Sequence, residues 1–147
     1  MANLEELKNY DLAIATYDAV PRSHPAFVKA ELGRAQALVS IGKKETAIEV
    51  LTQLSESFPK MRGVHDALGN LLRQDGQFDA AIEVYDTAIS MIKNPEPKHW
   101  YNFYVRAIAY ERDGNWAAAM RDFDNALILS PNQFQVLNYL GYSLVER

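Results

Sequence analysis

Apolar side chains recur at intervals of three and four residues along most of this chain, which is the spacing of one face of an α-helix. Between positions 116 and 126, for example, Trp116, Ala119, Phe123 and Ala126 follow this spacing, and charged residues interrupt them. A helix with one apolar face must bury that face against another element. The pattern therefore predicts a series of amphipathic helices packed against one another.

The helical pattern repeats along the chain. Gly42 and Gly76 lie 34 residues apart, and Gly114 follows after 38. An alanine lies five residues after each glycine and a large apolar residue four residues further on, which gives Ala47, Ala81 and Ala119 followed by Leu51, Tyr85 and Phe123. Glycine ends a helix at low cost, and proline, as at Pro59 and Pro131, cannot continue one. Each period is therefore helix, tight turn, helix and break, which is typical of stacked repeats.

The residues at equivalent places in the three periods define a fuller pattern. They are Ala35, Leu38, Ala47, Leu51 and Pro59 in 28–61, Leu68, Gly69, Leu72, Ala81, Tyr85 and Ala88 in 62–95, and Phe103, Ala107, Tyr110, Ala119, Phe123, Ala126 and Pro131 in 100–133. In this pattern the chain resembles the tetratricopeptide repeat, a 34-residue helix–turn–helix family. The sequence departs from the residue types of this family at Glu31, Arg34, Leu54 and Arg106. The resemblance implies an all-α fold, a right-handed α-α superhelix (solenoid) of such repeats.

The predicted organisation is one repeat array over 1–147. It comprises a partial repeat (second helix) at 1–27, repeats at 28–61, 62–95 and 100–133, a proline-containing joint at 96–99, and a partial repeat (first helix) at 134–147. Asn3 and Glu6 predict a capped helix start, with the helix running to about Val20. The segment 137–144 resembles stretches of long bacterial multi-repeat proteins, and its stripe of Leu137, Leu140 and Leu144 is left unsatisfied. We therefore expect a piece of a longer array.

Composition narrows the possible partners. The net charge of −4 and the pI of about 5.3 argue against nucleic acid and anionic membrane surfaces. No apolar run has membrane-spanning length, so we expect no membrane insertion. The absence of cysteine excludes disulfides, thiolate zinc sites and a cysteine nucleophile. It favours the cytoplasm and is compatible with the periplasm.

The sequence contains no catalytic signature. No two of His24, His65 and His99 are spaced for a metal, and neither a phosphate-binding glycine loop nor a nucleophile elbow occurs. His65 lies where the repeat family has an apolar residue, so we expect a partly buried structural histidine. We expect the second-helix carboxylates to face solvent; they are Glu45, Glu49, Asp79, Glu83, Asp122 and Asp124. The sequence predicts neither an enzyme nor a cofactor.

Arg34 and Arg106 occupy first-helix positions that the repeat family keeps apolar. A buried guanidinium needs a charged or hydrogen-bonded partner. One hypothesis pairs each arginine with a carboxylate on an adjacent helix, Arg106 with Asp122 or Asp124. If so, Arg106→Leu is expected to leave stability nearly unchanged or to raise it. The alternative is that both side chains extend along their helix to solvent.

The resemblance also implies a binding surface, because first helices line the concave groove in this family. The groove residues so predicted are Lys29, Leu32, Gln36, Asp66, Asn70, Arg73, Tyr101, Tyr104, Ile108, Glu111, Asn138 and Tyr142. Tyrosines provide binding hot spots, and asparagine amides both donate and accept hydrogen bonds to a peptide backbone. The alternative for the C-terminal tyrosines is packing on a further repeat. The family's carboxylate clamp is missing, since its position 6 holds Gly33, Ala67 and Val105, which disfavours a chaperone tail as ligand.

The resulting functional hypothesis is a non-catalytic scaffold whose groove binds a peptide or helix of a partner protein. The alternative is a structural or self-association element of a larger multi-repeat protein, with a homodimer formed through the exposed terminal helix. The repeat register itself predicts that Ala119→Asp is severely destabilising, because Ala119 lies at a close helix crossing. Ala118→Asp, one residue out of phase, is expected to be mild.

Overall fold

Residues 3–146 are described by the computed structural model, and in that range the regular secondary structure is entirely helical. The α-helices are α1 (Leu4–Asp18), α2 (Phe27–Ser40), α3 (Lys44–Ser57), α4 (Arg62–Gln74), α5 (Phe78–Ser90), α6 (Trp100–Arg112), α7 (Trp116–Leu129) and α8 (Phe134–Glu146), with a short 3-10 turn at Pro97–His99 before α6. The predicted all-α fold class is confirmed. The chain divides into two compact units, Met1–Leu71 and Leu72–Arg147.

Glycines close the tight turns between paired helices, as the sequence predicted. Gly42, Gly76 and Gly114 have φ of +83°, +79° and +89°, a left-handed conformation that side chains with a Cβ rarely adopt. After α6, the Gly114 N–H donates to the Glu111 carbonyl oxygen at 3.1 Å, and the Asn115 N–H donates to the Tyr110 carbonyl oxygen at 2.8 Å. These bonds satisfy carbonyls that would otherwise be unpaired at the helix end.

Side-chain caps fix two helix starts. The Glu6 backbone N–H donates to Asn3 Oδ1 at 2.9 Å, and the Asn3 N–H donates to Glu6 Oε2 at 3.0 Å, so the predicted capping box of α1 is confirmed. The helix ends at Asp18, two residues before the expected end. At the start of α7, the Ala118 N–H donates to Asn115 Oδ1 at 3.1 Å.

In the unit Met1–Leu71, α2 packs against α1 on one side and α3 on the other. Small residues allow the helices to approach: Ala35 and Ala47 are fully buried, and the Tyr17 ring lies directly on Gly33. A Cβ at Gly33 would fall 2.6 Å from Tyr17 Cζ, far inside van der Waals contact. Larger residues complete the core; they are Leu38, Val50, Leu51, Leu54, Val64 and Leu68.

In the unit Leu72–Arg147, the core forms where α6, α7 and α8 meet. Its buried residues are Ala107, Ala119, Phe123, Ala126 and Val136, surrounded by partly buried aromatic and aliphatic side chains. Ala107, Ala119 and Ala126 have no exposed surface, so these helices cross closely, as predicted. Gly141, a small residue of α8 that the repeat pattern predicts at a close helix crossing, is instead exposed, because α8 packs through the side that carries Val136 and Ser143.

Helix α7 is buried more widely than expected. It contacts α6, α8 and the 3-10 turn at Pro97–His99, so its buried face spans more than one row of residues. Ala118, expected to be out of phase with the core, is only 5% exposed, and Asp122, expected to face solvent, is buried. Ala117 is the position of this turn that is exposed.

The two buried histidines are structural. His65 Nε2 lies 2.7 Å from the Pro59 carbonyl oxygen, which ties the start of α4 to the preceding proline turn and confirms the expected role. The Glu96 N–H donates to His99 Nδ1 at 2.8 Å within the proline-containing joint. Burial with a hydrogen-bond partner accounts for both rings without a ligand.

Candidate functional site

Three predicted groove residues of α2 line a cleft in the unit Met1–Leu71. Lys29, Leu32 and Gln36 share this cleft of about 600 Å³ with Tyr17 and Val20 of α1. Its walls are mostly apolar, with the charge of Lys29 and the amide of Gln36 exposed at the surface. The cleft therefore offers an apolar contact area with polar groups beside it.

The predicted groove residues of α4 are half-buried and engaged with neighbours. Asp66 Oδ2 lies 3.5 Å from Arg62 Nε on the same helix, and Asn70 is half-buried. Near the end of α4, Arg73 Nε donates to the hydroxyl of buried Tyr85 at 3.0 Å. Arg73 therefore provides the buried Tyr85 hydroxyl with a hydrogen-bond donor, in addition to carrying a positive charge.

An aromatic cluster covers the neighbouring faces of α6 and α8 in the unit Leu72–Arg147. The Tyr104 ring centroid lies 5.5 Å from Trp100, 6.2 Å from Tyr101 and 6.2 Å from Tyr139. Burial raises the pKa of Tyr104, and the nearby charge of Arg73 partly opposes the shift. Tyr101 is 42% exposed, so the cluster presents one rim to solvent. The structure thus brings Tyr101 and Tyr104 together as a packed aromatic surface.

Beside this cluster lies a second cleft, of about 460 Å³, which we call the α6–α8 cleft. It is lined by Glu111, Arg112, Tyr139, Tyr142, Ser143 and Glu146. The Tyr139 hydroxyl donates to Glu111 Oε2 at 3.4 Å. Burial, followed by the negative charge of Glu111, raises the pKa of Tyr139, although Arg112 acts in the opposite direction. The predicted groove residues Glu111 and Tyr142 therefore share one polar site.

The outer face of α8 is apolar and open. Tyr142 and Asn138 line a shallow depression here with Leu137, Gly141 and Val145. Leu137 and Leu144 are 47% and 56% exposed, as the predicted stripe requires. Leu140, assigned to the same stripe, instead packs against the core, because it lies one turn beyond Val136 on the inner side of the helix.

Arg106 joins three helices through ion pairs. Its Nε and Nη2 donate to the two carboxylate oxygens of Asp122 on α7 at 2.6 and 2.9 Å, and its Nη1 donates to Asp86 Oδ1 on α5 at 2.9 Å. The guanidinium also lies 5.8 and 5.9 Å from the ring centroids of Phe103 and Tyr110. Burial lowers the pKa of Arg106, but both aspartates more than offset this, so the pKa is raised. Of the two partners predicted for Arg106, Asp122 and Asp124, the structure shows Asp122.

For Arg34, the hypothesis of a partner carboxylate on an adjacent helix is wrong. Its Nη2 and Nε donate to the Glu31 carboxylate at 2.8 and 3.0 Å, so its partner lies on its own helix. Residues three apart are neighbours on a helix surface. The two polar departures from the repeat pattern in α2 therefore neutralise each other, and this pairing was readable from their spacing.

The structure separates the predicted groove residues into two groups. Lys29, Leu32, Gln36, Asp66 and Asn70 belong to the unit Met1–Leu71, whereas Arg73, Tyr101, Tyr104, Ile108, Glu111, Asn138 and Tyr142 belong to Leu72–Arg147. Ile108 packs against the core. Tyr139 and Ser143 of the α6–α8 cleft were missed. Their signal was the helical spacing to Val136 and Tyr142, which places them where α8 faces α6.

The described part of the chain offers neither a metal site nor a membrane span. Between residues 3 and 146, no group of three or more histidine, cysteine, aspartate or glutamate side chains is arranged to hold a metal ion. Over the same range, every helix is too short or too polar to cross a membrane.

Comparisons with known proteins agree with this architecture. The family model of the Psidin N-terminal TPR repeats region matches residues 3–125. YrrB, a TPR protein with an unusual peptide-binding site, superposes with a TM-score of 0.74 at 16% identity, over 91% of this chain and 67% of YrrB. MamA of Desulfovibrio magneticus RS-1 superposes with a TM-score of 0.78 at 16% identity, over 99% of this chain and 87% of that MamA chain. MamA of MSR-1 superposes with a TM-score of 0.75 at 20% identity, over 97% of this chain and 82% of that MamA chain. No curated protein matches the chain. These similarities show an all-α fold of the tetratricopeptide-repeat class.

Proposed function

The chain belongs to the family of the Psidin N-terminal TPR repeats region, and we propose from this premise that it is a non-catalytic scaffold that binds a peptide or helix of a partner protein. The family and fold are generally those of protein-interaction modules. The observation that carries the proposal is the surface formed by Tyr101 and Tyr104 of α6 with Tyr139 and Tyr142 of α8, which we call the tyrosine surface. We place the binding site there, in the unit Leu72–Arg147.

The tyrosine surface has the properties of a binding hot spot. Tyr101 is 42% and Tyr142 is 67% exposed, so both rings have area left to bury on a partner. Tyr104 and Tyr139 lie edge-on at 90° and hold the surface together. Aromatic rings that are already held by packing lose little rotamer freedom when a ligand binds. These properties support the proposal that an extended peptide binds against the exposed rings of Tyr101 and Tyr142.

We expect the Tyr101→Ala/Tyr142→Ala variant to bind its peptides at least about tenfold more weakly, since hot-spot truncations typically cost more than about 1–2 kcal/mol. Peptides would be selected from a displayed random library, and dissociation constants measured by calorimetry. Tyr104 is left intact because its ring packs inside the cluster. Leu12→Ala, also strongly exposed, is the matched control. Equal affinity of wild type and the tyrosine variant would remove the proposed site.

The exposed apolar face of α8 supports a second candidate function, which is self-association. Phe134 is 72%, Leu137 47%, Leu144 56% and Val145 86% exposed. Contiguous exposed apolar side chains favour association. This candidate overlaps with the peptide-binding proposal on α8, because Tyr142 lines the same depression as Leu137 and Val145.

Under self-association, Leu137→Lys/Leu144→Lys is expected to convert a dimer into a monomer in sedimentation equilibrium, because the two charges would have to be desolvated in the interface. Leu140 is unsuitable for this test since it packs against the core. Lysines at Leu4 and Leu12, both exposed on α1, provide a charge-matched control. A wild-type chain that sediments as a monomer at all concentrations would exclude this candidate.

A further inference from the structure

We propose that the α6–α8 cleft binds a basic side chain, lysine or arginine, of the partner peptide. The inference rests on the proposed peptide-binding function and adds the chemistry of one residue of the ligand. Three features of the cleft support it, namely its carboxylates, the hydroxyl of Ser143 and its aromatic walls.

The charges of the cleft favour a cation. Glu111 and Glu146 contribute two carboxylates to the lining. Among the described lining residues the one cation is Arg112, whose guanidinium carbon also lies 5.5 Å from the centroid of the Phe78 ring, so the two carboxylates outnumber it. Burial, followed by the negative charge of Glu111, raises the pKa of Tyr139, and the charge of Arg112 opposes the shift. A basic side chain entering the cleft would meet an excess of negative charge.

Ser143 contributes a hydroxyl group to the same cleft. Its residue surface is only 4% exposed, yet it lines the cleft. Since ammonium and guanidinium groups carry only donors, a basic side chain that reaches Ser143 would supply the hydrogen bond that the hydroxyl oxygen can accept.

The aromatic walls suit the same ligand. Tyr139 and Tyr142 both line the cleft, and Tyr142 is 67% exposed. The negative face of a phenol ring attracts a cation, and the ring also packs against the methylene groups of a lysine or arginine stem. A volume of about 460 Å³ is ample for one long side chain. Carboxylates, acceptor hydroxyl and rings therefore converge on one ligand chemistry.

The proposal is tested with small probes that carry the side chain alone. In NMR titrations of the ¹⁵N-labelled protein, N-acetyl-lysine methylamide and N-acetyl-arginine methylamide are expected to shift the amides of residues 139–146 in a saturable manner. N-acetyl-norleucine methylamide, which has a similar stem and no charge, is expected to bind at least about fivefold more weakly. High salt should weaken the charged probes and not the neutral one.

The variant Glu111→Gln/Glu146→Gln should weaken both charged probes by up to about fivefold for each carboxylate removed, since a partly exposed ion pair is worth up to about 1 kcal/mol. Glu45→Gln/Glu49→Gln on α3 makes the same charge change elsewhere and should leave binding unchanged. Thermal melts would establish that both variants are folded. Equal binding of the norleucine probe, absence of a saturable shift, or unaltered binding by the first variant would each overturn the proposal.

The peptide selection separates this inference from the proposed function. Selected peptides with a recurrent lysine or arginine, whose affinity falls in the Glu111→Gln/Glu146→Gln variant, support both. Peptides that depend on Tyr101 and Tyr142 but carry no basic preference leave the proposed function standing and overturn the inference. Failure to select any peptide, together with saturable binding of the charged probes, removes the peptide function while the cleft retains its cation preference.

Discussion

Replacing Arg106 with leucine is expected to destabilise the protein by about 3–5 kcal/mol, the usual cost of removing one partner of a buried ion pair. The reason is Asp122, whose side chain is 4% exposed. Both of its carboxylate oxygens accept hydrogen bonds from Arg106. Leucine would leave that carboxylate in the core with its charge uncompensated. Asp86, whose side chain is 52% exposed, would lose its ion-pair partner, but its carboxylate would remain hydrated.

The burial of Asp122 reverses the expectation that the sequence raised for this substitution. An arginine paired with a solvent-facing aspartate could be replaced by leucine at little cost, because the orphaned carboxylate would remain hydrated. With Asp122 inside, the same change removes the one group that makes its burial tolerable. The sequence pattern included Asp122 among the two candidate partners of Arg106, but it predicted that Asp122 would face solvent.

The experiment compares three variants by urea denaturation. Tryptophan fluorescence is a suitable probe, because both tryptophans, Trp100 and Trp116, lie in the unit that holds the ion pair. Asp86→Asn is expected to cost less than about 1 kcal/mol, and Arg106→Leu/Asp122→Leu to recover most of the loss of the single variant. A single Arg106→Leu variant as stable as wild type would show that the carboxylate is hydrated or protonated without cost.

Local rules of the chain accounted for the helices and most of their ends. Left-handed glycines and the Asn3–Glu6 box each act within a few residues, so their effect can be read directly from the sequence. The alanines at helix crossings act between helices, and they could be predicted because they recur with the repeat period. The partner of Arg34 was misassigned although it too is local. The repeat pattern predicted a partner on an adjacent helix. Glu31 lies three residues before Arg34 on the same helix, and helix geometry alone brings two such side chains together.

The α6–α8 cleft could be predicted only in part, because two distant segments form it. Glu111 and Tyr142 were identified by their repeat positions, whereas Tyr139 and Ser143 were not. Their place depends on which side of α8 packs towards α6, and Val136, fully buried on that side, fixes the choice. An amphipathic pattern indicates that a helix has an inner face, but it does not state which polar residues at the edge of that face remain accessible.

Ala119→Asp is expected to destabilise the protein by about 4 kcal/mol or more, enough to unfold the unit Leu72–Arg147. Ala119 has no exposed surface and lies in the core with Ala107 and Phe123. An aspartate there must either bury an unpaired charge or push the helices apart, and both costs are several kcal/mol. The loss should appear as an absent or strongly shifted unfolding transition by circular dichroism.

Ala117→Asp is the control that the structure supplies for this change. Ala117 is exposed and lies in the first turn of α7, where a carboxylate interacts favourably with the helix N-terminus. Its effect should stay within about 0.5 kcal/mol of wild type. Ala118→Asp, expected to be mild from the sequence, is now expected to be destabilising, since Ala118 is 5% exposed. Similar losses at 117 and 119 would contradict the packing of α7 on α6, and with it the geometry that places the tyrosines and the α6–α8 cleft on one surface.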